Sequence, residues 1–165
     1  MCFAASSAGK RSVERKMTPI IRKMRESDRE DLYALLSDPR VMRYLEPPFS
    51  REKSESFLRA AGLSEPPLIY AAEDGDGFAG YVICHDYDEN SVEIGWVLRP
   101  ERWGQGLASA LTEQLIRSIP PGKELVIECD PEQEATRRIA LKFGFAYEGR
   151  ADGLDLYRLK RRPEP

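Results

Sequence analysis

The chain of 165 residues is poor in the residue types that build metal centres and cross-linked frameworks. Its three cysteines, Cys2, Cys84 and Cys129, fall at unrelated spacings, and an odd number so placed supports neither a disulfide framework nor a zinc cluster. A reducing, cytoplasmic setting is the expectation. There is one histidine, His85, with no Cys, Asp or Glu around it at metal-ligand spacing. It reads as a surface residue at a strand end, and no metal is expected. No run of about eighteen apolar residues occurs, which excludes a membrane-spanning helix. No Gly-Lys-Ser or Gly-Lys-Thr occurs, which excludes a lysine-bearing phosphate loop. Basic charge is not in excess: 25 Lys and Arg face 28 Asp and Glu, for a net charge of -3, which argues against nucleic-acid binding as the main role. An acidic balance suits a cationic partner such as an amine.

What the sequence does hold is concentrated between Ser91 and Ser109. Val92 to Leu98 is β-branched and aromatic with alternate apolar positions, and reads as a strand covered on both faces. Arg99-Pro100 ends it. A polar elbow, Glu101-Arg102-Trp103-Gly104-Gln105-Gly106, leads into Leu107, Ala108, Leu111, Leu115 and Ile116 at helical spacing. A helix N-terminus offers unpaired N–H groups and the positive end of its dipole, which together favour a phosphate. Glycines at 104 and 106 remove the Cβ atoms that would hold a diphosphate off the backbone. A nucleotide-dehydrogenase fingerprint also sets glycines before a helix, but Ser109 stands where its third small residue would fall. Alone, the elbow is equally a tight strand-to-helix turn.

The length suits one core and one domain. Residues 1–18, with Lys10, Arg11, Arg15 and Lys16 but no apolar stretch, read as a leader, ahead of a domain over 19–160 and a polar tail over 161–165. Ile20 to Met24 is a first strand, and Ser27-Asp28-Arg29-Glu30 reads as a capping box opening a helix that buries Leu32, Leu35 and Leu36. Short helices follow over Asp38 to Leu45 and from Ser50 to about Ala61. Leu68 to Glu73 and Phe78 to Cys84 are strands joined by the turn Asp74-Gly75-Asp76-Gly77. Beyond the elbow helix, Leu125 to Cys129 is an apolar strand expected to lie parallel to Val92–Leu98, because the two are joined by a crossover helix. A helix over Gln133 to Phe143 and a hairpin of Phe145 to Glu148 with Leu154 to Leu159, turning over Gly149 to Gly153, close the chain.

Leu98-Arg99-Pro100-Glu101-Arg102-Trp103-Gly104-Gln105-Gly106-Leu107-Ala108 resembles the acyl-CoA pyrophosphate loop of the GNAT superfamily of N-acetyltransferases, patterned Gln/Arg-x-x-Gly-x-Gly/Ala. Gly106 and Ala108 take the small positions, and Trp103 stands where Gln or Arg is usual, as in the branch resembling ribosomal-protein alanine and serine N-acetyltransferases. A second block, Asp130 to Arg138 and then Lys142-Phe143-Gly144-Phe145, resembles the family's Asn-x-x-Ser helix ending in Lys-x-Gly-Phe, with Gln133 for Asn and Thr136 for Ser. The resemblance runs from about Ile20 to Leu159. It implies an α+β fold: a central, mostly antiparallel sheet with one splayed parallel pair and helices on both faces.

It also implies acetyl-CoA as co-substrate and no metal. Backbone groups of Trp96, Val97 and Leu98 would pair with the pantetheine arm. Trp103 and the stretch Gly104, Gln105, Gly106, Leu107, Ala108 and Ser109 would hold the diphosphate, with Gln133 flanking the arm. The helical segment would wall the acceptor pocket, which makes Tyr44, Leu45 and Phe49 candidate contacts, although such side chains are more often plain core. A protonated amine must lose a proton before attack, and Glu93 or Glu128, among apolar neighbours, is the expected base, with Glu93 preferred. Thr136, Tyr147 or Tyr157 could protonate the departing thiolate. The acceptor, a peptide N-terminus or a small-molecule amine, stays open, as does monomer or homodimer. A non-catalytic CoA-binding module is the alternative, and a nucleotide-dependent oxidoreductase rests on the glycines alone.

Overall fold

The computed structural model describes residues 18–163. The leader expected over 1–18 thus lies, but for Thr18, outside the described residues. The chain opens with β1 (Ile20–Lys23), then α1 (Arg29–Leu36), α2 (Pro39–Met42) and α3 (Arg51–Phe57), which continues into a π-helical turn over Leu58–Gly62. After these come β2 (Ile69–Asp74), β3 (Gly77–Asp86), β4 (Ser91–Leu98), α4 (Leu107–Ser118), β5 (Glu124–Cys129), α5 (Glu134–Lys142), β6 (Ala146–Ala151) and β7 (Leu154–Leu159). The strands form one sheet in the order β1-β2-β3-β4-β5-β7-β6. Every neighbouring pair is antiparallel except β4 and β5, whose connection is the crossover helix α4.

Strand alternation divides the core into two layers. On one face Ile69, Ala71, Tyr81 and Val97 meet Leu32, Leu35, Leu36 and Leu58 of the α1–α3 segment. On the other, Val82, Ile94, Leu125 and Ile127 meet Leu111 and Leu115 of α4 and Ala140 of α5. Helices therefore cover both faces, and the two layers together fix β4 in the middle of the sheet.

Three local expectations are revised. Ser27 does not cap α1: a 3-10 turn over Glu26–Asp28 precedes the helix, and Asp28 accepts the Arg25 N–H at 2.8 Å. Arg22 grips the same carboxylate with both terminal nitrogens, at 2.8 and 2.7 Å, and reaches Glu73 through Nε at 2.7 Å. Burial opposes ionisation of Asp28, but the Arg22 fork and the Arg25 amide outweigh it and hold the carboxyl below its ordinary value. The last hairpin turns later than expected, at Asp152 (φ 51°) and Gly153 (φ 81°), two positive-φ positions that match the twist of the flanking strands. Gly149 sits instead at a register shift within β6, and Phe145 is buried just ahead of that strand rather than in it. Finally, Gln133 stands before α5 rather than within it.

Candidate active site

β4 and β5 are paired only at their first residues, Ser91 with Glu124, Val92 with Leu125 and Glu93 with Val126. Beyond Glu93 the strands part, and Ile127 to Cys129 pair only with β7 on their other side. The pleat decides which backbone groups face the gap. The Arg99 N–H donates to Ala79 O at 2.8 Å and the Tyr87 N–H to Ser91 O at 2.9 Å, bonds that flank the Leu98–Gly80 and Val92–Asp86 pairs. Those pairs therefore exchange no backbone bonds themselves, and with no register shift between them Val92, Ile94, Trp96 and Leu98 turn their backbone away from β3. The Glu124 N–H donating to Asn90 O at 2.9 Å fits the same alternation. Of the three consecutive residues expected to offer backbone to an arm, Trp96 and Leu98 face the gap. Val97 turns its amide and carbonyl toward Tyr81 of β3.

The elbow stands at the open end of this gap. Gly104 (φ 71°) and Gly106 (φ 80°) both adopt the left-handed conformation that glycine enters without a Cβ penalty, and a Cβ at Gly104 would meet only open space. Among the described residues, none of the six consecutive N–H groups from Gly104 to Ser109 makes a well-formed hydrogen bond to the protein; the first helical bond of α4 is Ala110 N–H to Gly106 O at 3.1 Å. These amides form an anion cradle at the start of a twelve-residue helix. Side chains brace it from behind: Arg102 pairs with Asp74 at the end of β2, Gln105 donates to Glu101 O at 2.8 Å, and the Trp103 indole N–H donates to Leu98 O at 3.0 Å. Trp103 thus ties the elbow to the end of β4. Lys142 of α5 brings its ammonium to 3.4 Å from Ser109 Oγ, a cation beside the cradle whose role the sequence motif does not reveal.

At the closed end, where the strands separate, both candidate carboxylates lie on the α1–α3 face. Glu93 contacts His85 of β3, its cross-strand neighbour, with Nε2 to Oε2 at 3.1 Å. Its side chain is 19% exposed; burial pushes the carboxyl above its ordinary value, and the Glu128 charge adds to this while His85 opposes it. Glu128 of β5 accepts the Tyr87 hydroxyl at 2.8 Å, and that bond followed by burial raises the Tyr87 phenol. Gly95, two residues along from Glu93, puts no side chain on that face of the gap. His85 is therefore no free surface residue, as the sequence had suggested, because the β3–β4 register places it against a carboxylate.

The other candidates are distributed around this frame. Thr136 is half-buried in the first turn of α5, just past the open end of β5. Gln133 spends its carbonyl oxygen on the Asp130 N–H at 3.0 Å. Tyr157 is buried on the α4–α5 face and burial raises its phenol, whereas Tyr147 is exposed on the edge strand with its hydroxyl 3.4 Å from Asp155. Tyr44 is half-buried under the Arg43 guanidinium and Leu45 is exposed. Phe49 is 6% exposed and packs edge-on against Phe57 in the core, where it supports the helical wall. A concavity of about 950 Å³ lined by Ile21, Tyr70, Cys84 and Leu115 lies at the other end of α4. It holds neither the amide cradle nor the paired carboxylates, so the site is assigned to the gap. Among the described residues no three His, Cys, Asp or Glu cluster to hold a metal ion, and no helix is long and apolar enough to cross a membrane.

Comparison with known proteins gives this geometry a family. Residues 20–146 match the acetyltransferase (GNAT) domain. The chain is 27% identical over 136 residues, 79% of its length and 80% of the relative's, to YnaD, an uncharacterised N-acetyltransferase of Bacillus subtilis. Its fold is similar to that of a GNAT-family acetyltransferase from Bacillus anthracis (TM-score 0.72, 23% identity, 86% of this chain and 92% of that one). It is also similar to RimL, the ribosomal L7/L12 alpha-N-protein acetyltransferase, solved with coenzyme A (TM-score 0.70, 20% identity, 88% and 94%). A spermidine N-acetyltransferase from Vibrio cholerae, solved with CoA and spermine, is a further neighbour (TM-score 0.67, 18% identity, 86% and 93%). Matched by the domain over well over half its length, the chain belongs to the GNAT family of acetyltransferases.

Proposed function

We propose that this acetyltransferase moves an acetyl group from acetyl-CoA to a primary amine by direct attack while both substrates are bound. The observation that carries the reading is the parting of β4 and β5 beyond Glu93, with open amides at one end of the gap and a buried carboxylate at the other. The residues present fit CoA: N–H groups from Gly104 to Ser109 and the Lys142 ammonium suit a diphosphate, and the Trp96 backbone and the Leu98 N–H suit an amide-bearing arm. Bound acetyl-CoA supplies the activated thioester.

The chain's residues supply the rest. Glu93 takes a proton from the acceptor ammonium, which frees a lone pair to form the new C–N bond as the C–S bond breaks. The Trp96 N–H, already aimed into the gap, suits the oxygen that gains charge in that step; loss of such a donor costs about 100-fold or more in rate. Thr136, at the start of α5, gives a hydrogen bond or proton to the departing thiolate. Glu128, held by Tyr87, adds negative charge that favours a cationic acceptor, with Tyr44 and Leu45 on the wall beyond. The acceptor class covers peptide N-termini and small amines, since RimL and the spermidine enzyme, both similar in fold, are named for one of each.

The test is thiol release on mixing the protein with acetyl-CoA and a panel of amines, run beside calorimetric titration of CoA. Saturable binding with amine-dependent release supports the reading. Binding without release would favour a non-catalytic CoA module, which the engaged Gln133 amide and tethered Trp103 also allow. Absence of binding at hundreds of micromolar would remove both.

A further inference from the structure

We propose that His85 and Glu93 form one acid–base unit holding a single proton between imidazole Nε2 and the carboxylate, so that His85 sets the pH above which the acceptor amine is deprotonated. The proposal rests on Glu93 being the base and adds a positioning residue to it.

His85 Nδ1 lies 2.9 Å from Asp86 O, and a carbonyl oxygen only accepts, so Nδ1 carries a hydrogen. In a neutral imidazole that leaves Nε2 as the bare lone pair. Nε2 is also the atom 3.1 Å from Glu93 Oε2. Two lone pairs at that distance repel, whereas one proton between them makes a charge-assisted hydrogen bond. Whether that proton is drawn on nitrogen or oxygen, the unit is neutral overall and has no free basic position along this line.

The surroundings favour such sharing. Glu93 has no Lys or Arg within salt-bridge distance among the described residues, so His85 is its one potential cation. The groups facing the pair are Glu128 from β5 and the Tyr87 hydroxyl from the β3–β4 turn. Arg158 of β7 lies near Tyr87, but its guanidinium is bound to Glu124 and Glu148 at 2.9 Å each. Burial and the Glu128 charge both favour keeping the proton.

The step balances. With its proton lost, the unit carries one negative charge; it accepts one proton from the acceptor ammonium and becomes neutral, leaving a neutral amine to attack. The pH at which the unit loses its proton therefore sets the acid limb of turnover. Without the imidazole, Glu93 titrates as a buried carboxyl alone. Ordinary imidazole and Glu carboxyl values differ by about 2 units, and burial of Glu93 narrows that gap.

The experiment uses the full chain and whichever amine of the panel turns over best, with kcat measured against pH at saturating acetyl-CoA. The same amine throughout makes its own titration cancel. His85→Gln is expected to move the acid limb to lower pH, by up to about 2 units, while Glu93→Gln lowers kcat about 100-fold or more at unchanged CoA affinity. If Glu93→Gln leaves the rate unaltered, the base assignment itself fails. If Glu93→Gln is slow and His85→Gln leaves the acid limb in place, the shared proton is refuted and the base assignment stands. An independent readout needs no acceptor: His85 is the chain's only histidine, so its ¹⁵N imidazole signals are assigned without ambiguity. At alkaline pH they should report the Nδ1–H tautomer, and an Nε2–H tautomer would overturn the proposal.

Discussion

Ser109→Glu separates the cradle's ligand role from its role as a helix start, because the two predict opposite signs. Ser109 occupies the third position of α4, where a carboxylate meets unpaired N–H groups and the positive end of the helix dipole. Placed there, Glu is expected to stabilise the fold by about 0.3–1 kcal/mol. Lys142, now 3.4 Å from Ser109 Oγ, is within reach to pair with it. A diphosphate resting on the same amides would meet that carboxylate instead. At about 5 Å and an effective dielectric between about 80 and 20, one pair of like unit charges costs about 1–3 kcal/mol. This corresponds to CoA binding about 5- to 150-fold weaker. Calorimetric titration of CoA reads the affinity and a thermal melt reads the stability. A melting temperature held or raised, with CoA affinity lost, is the expected pair of results. Unaltered affinity in a well-folded variant would refute the placement of the diphosphate on α4.

Further expectations concern the scaffold. Leu32→Ala, which empties a fully buried site under the α1–α3 wall, should cost about 2–5 kcal/mol by chemical denaturation. Asp28→Asn should cost about 3 kcal/mol, because it breaks a buried pair and leaves Arg22 poorly compensated. Since the folded carboxyl lies below its unfolded value of about 3.9, the Asp28 contribution is fully present above that pH and is lost as pH falls through the folded value. Melting temperature should therefore fall more steeply in acid for the wild type than for Asp28→Asn. Gly80→Ala would set a Cβ 2.0 Å from Val97 O at φ 149°, pushing β3 from β4. Both melting temperature and CoA affinity should drop together, and an unperturbed Gly80→Ala would count against a rigid β4.

Much of this was legible before any coordinates, for identifiable reasons. The strand Val92–Leu98, the elbow and α4 combine β-branched residues, paired glycines and helical periodicity in one continuous stretch, so local signals suffice. The parallel pairing of β5 follows from its crossover helix alone. What escaped was set by register between distant segments. His85 looks isolated along the chain, yet β3 and β4 pair it with Glu93, and centring that hairpin on Asp88–Asn90 would have revealed it. Tyr87 meets Glu128 across 41 positions of sequence, a contact no local pattern encodes. Ser27 lost the capping role because Asp28 is claimed by Arg22 from β1. Phe49 could not be divided between core and pocket by composition, since the same apolar ring serves either.

The central claim is that the open amides of the elbow and of β4 grip one ligand along the gap. Backbone ¹H–¹⁵N spectra recorded during a CoA titration test it directly. The largest, saturable shifts are expected at Trp96, Leu98 and the run from Gly104 to Ser109. Saturable shifts confined to the surroundings of Ile21, Tyr70 and Leu115, with the elbow amides unmoved, would contradict it.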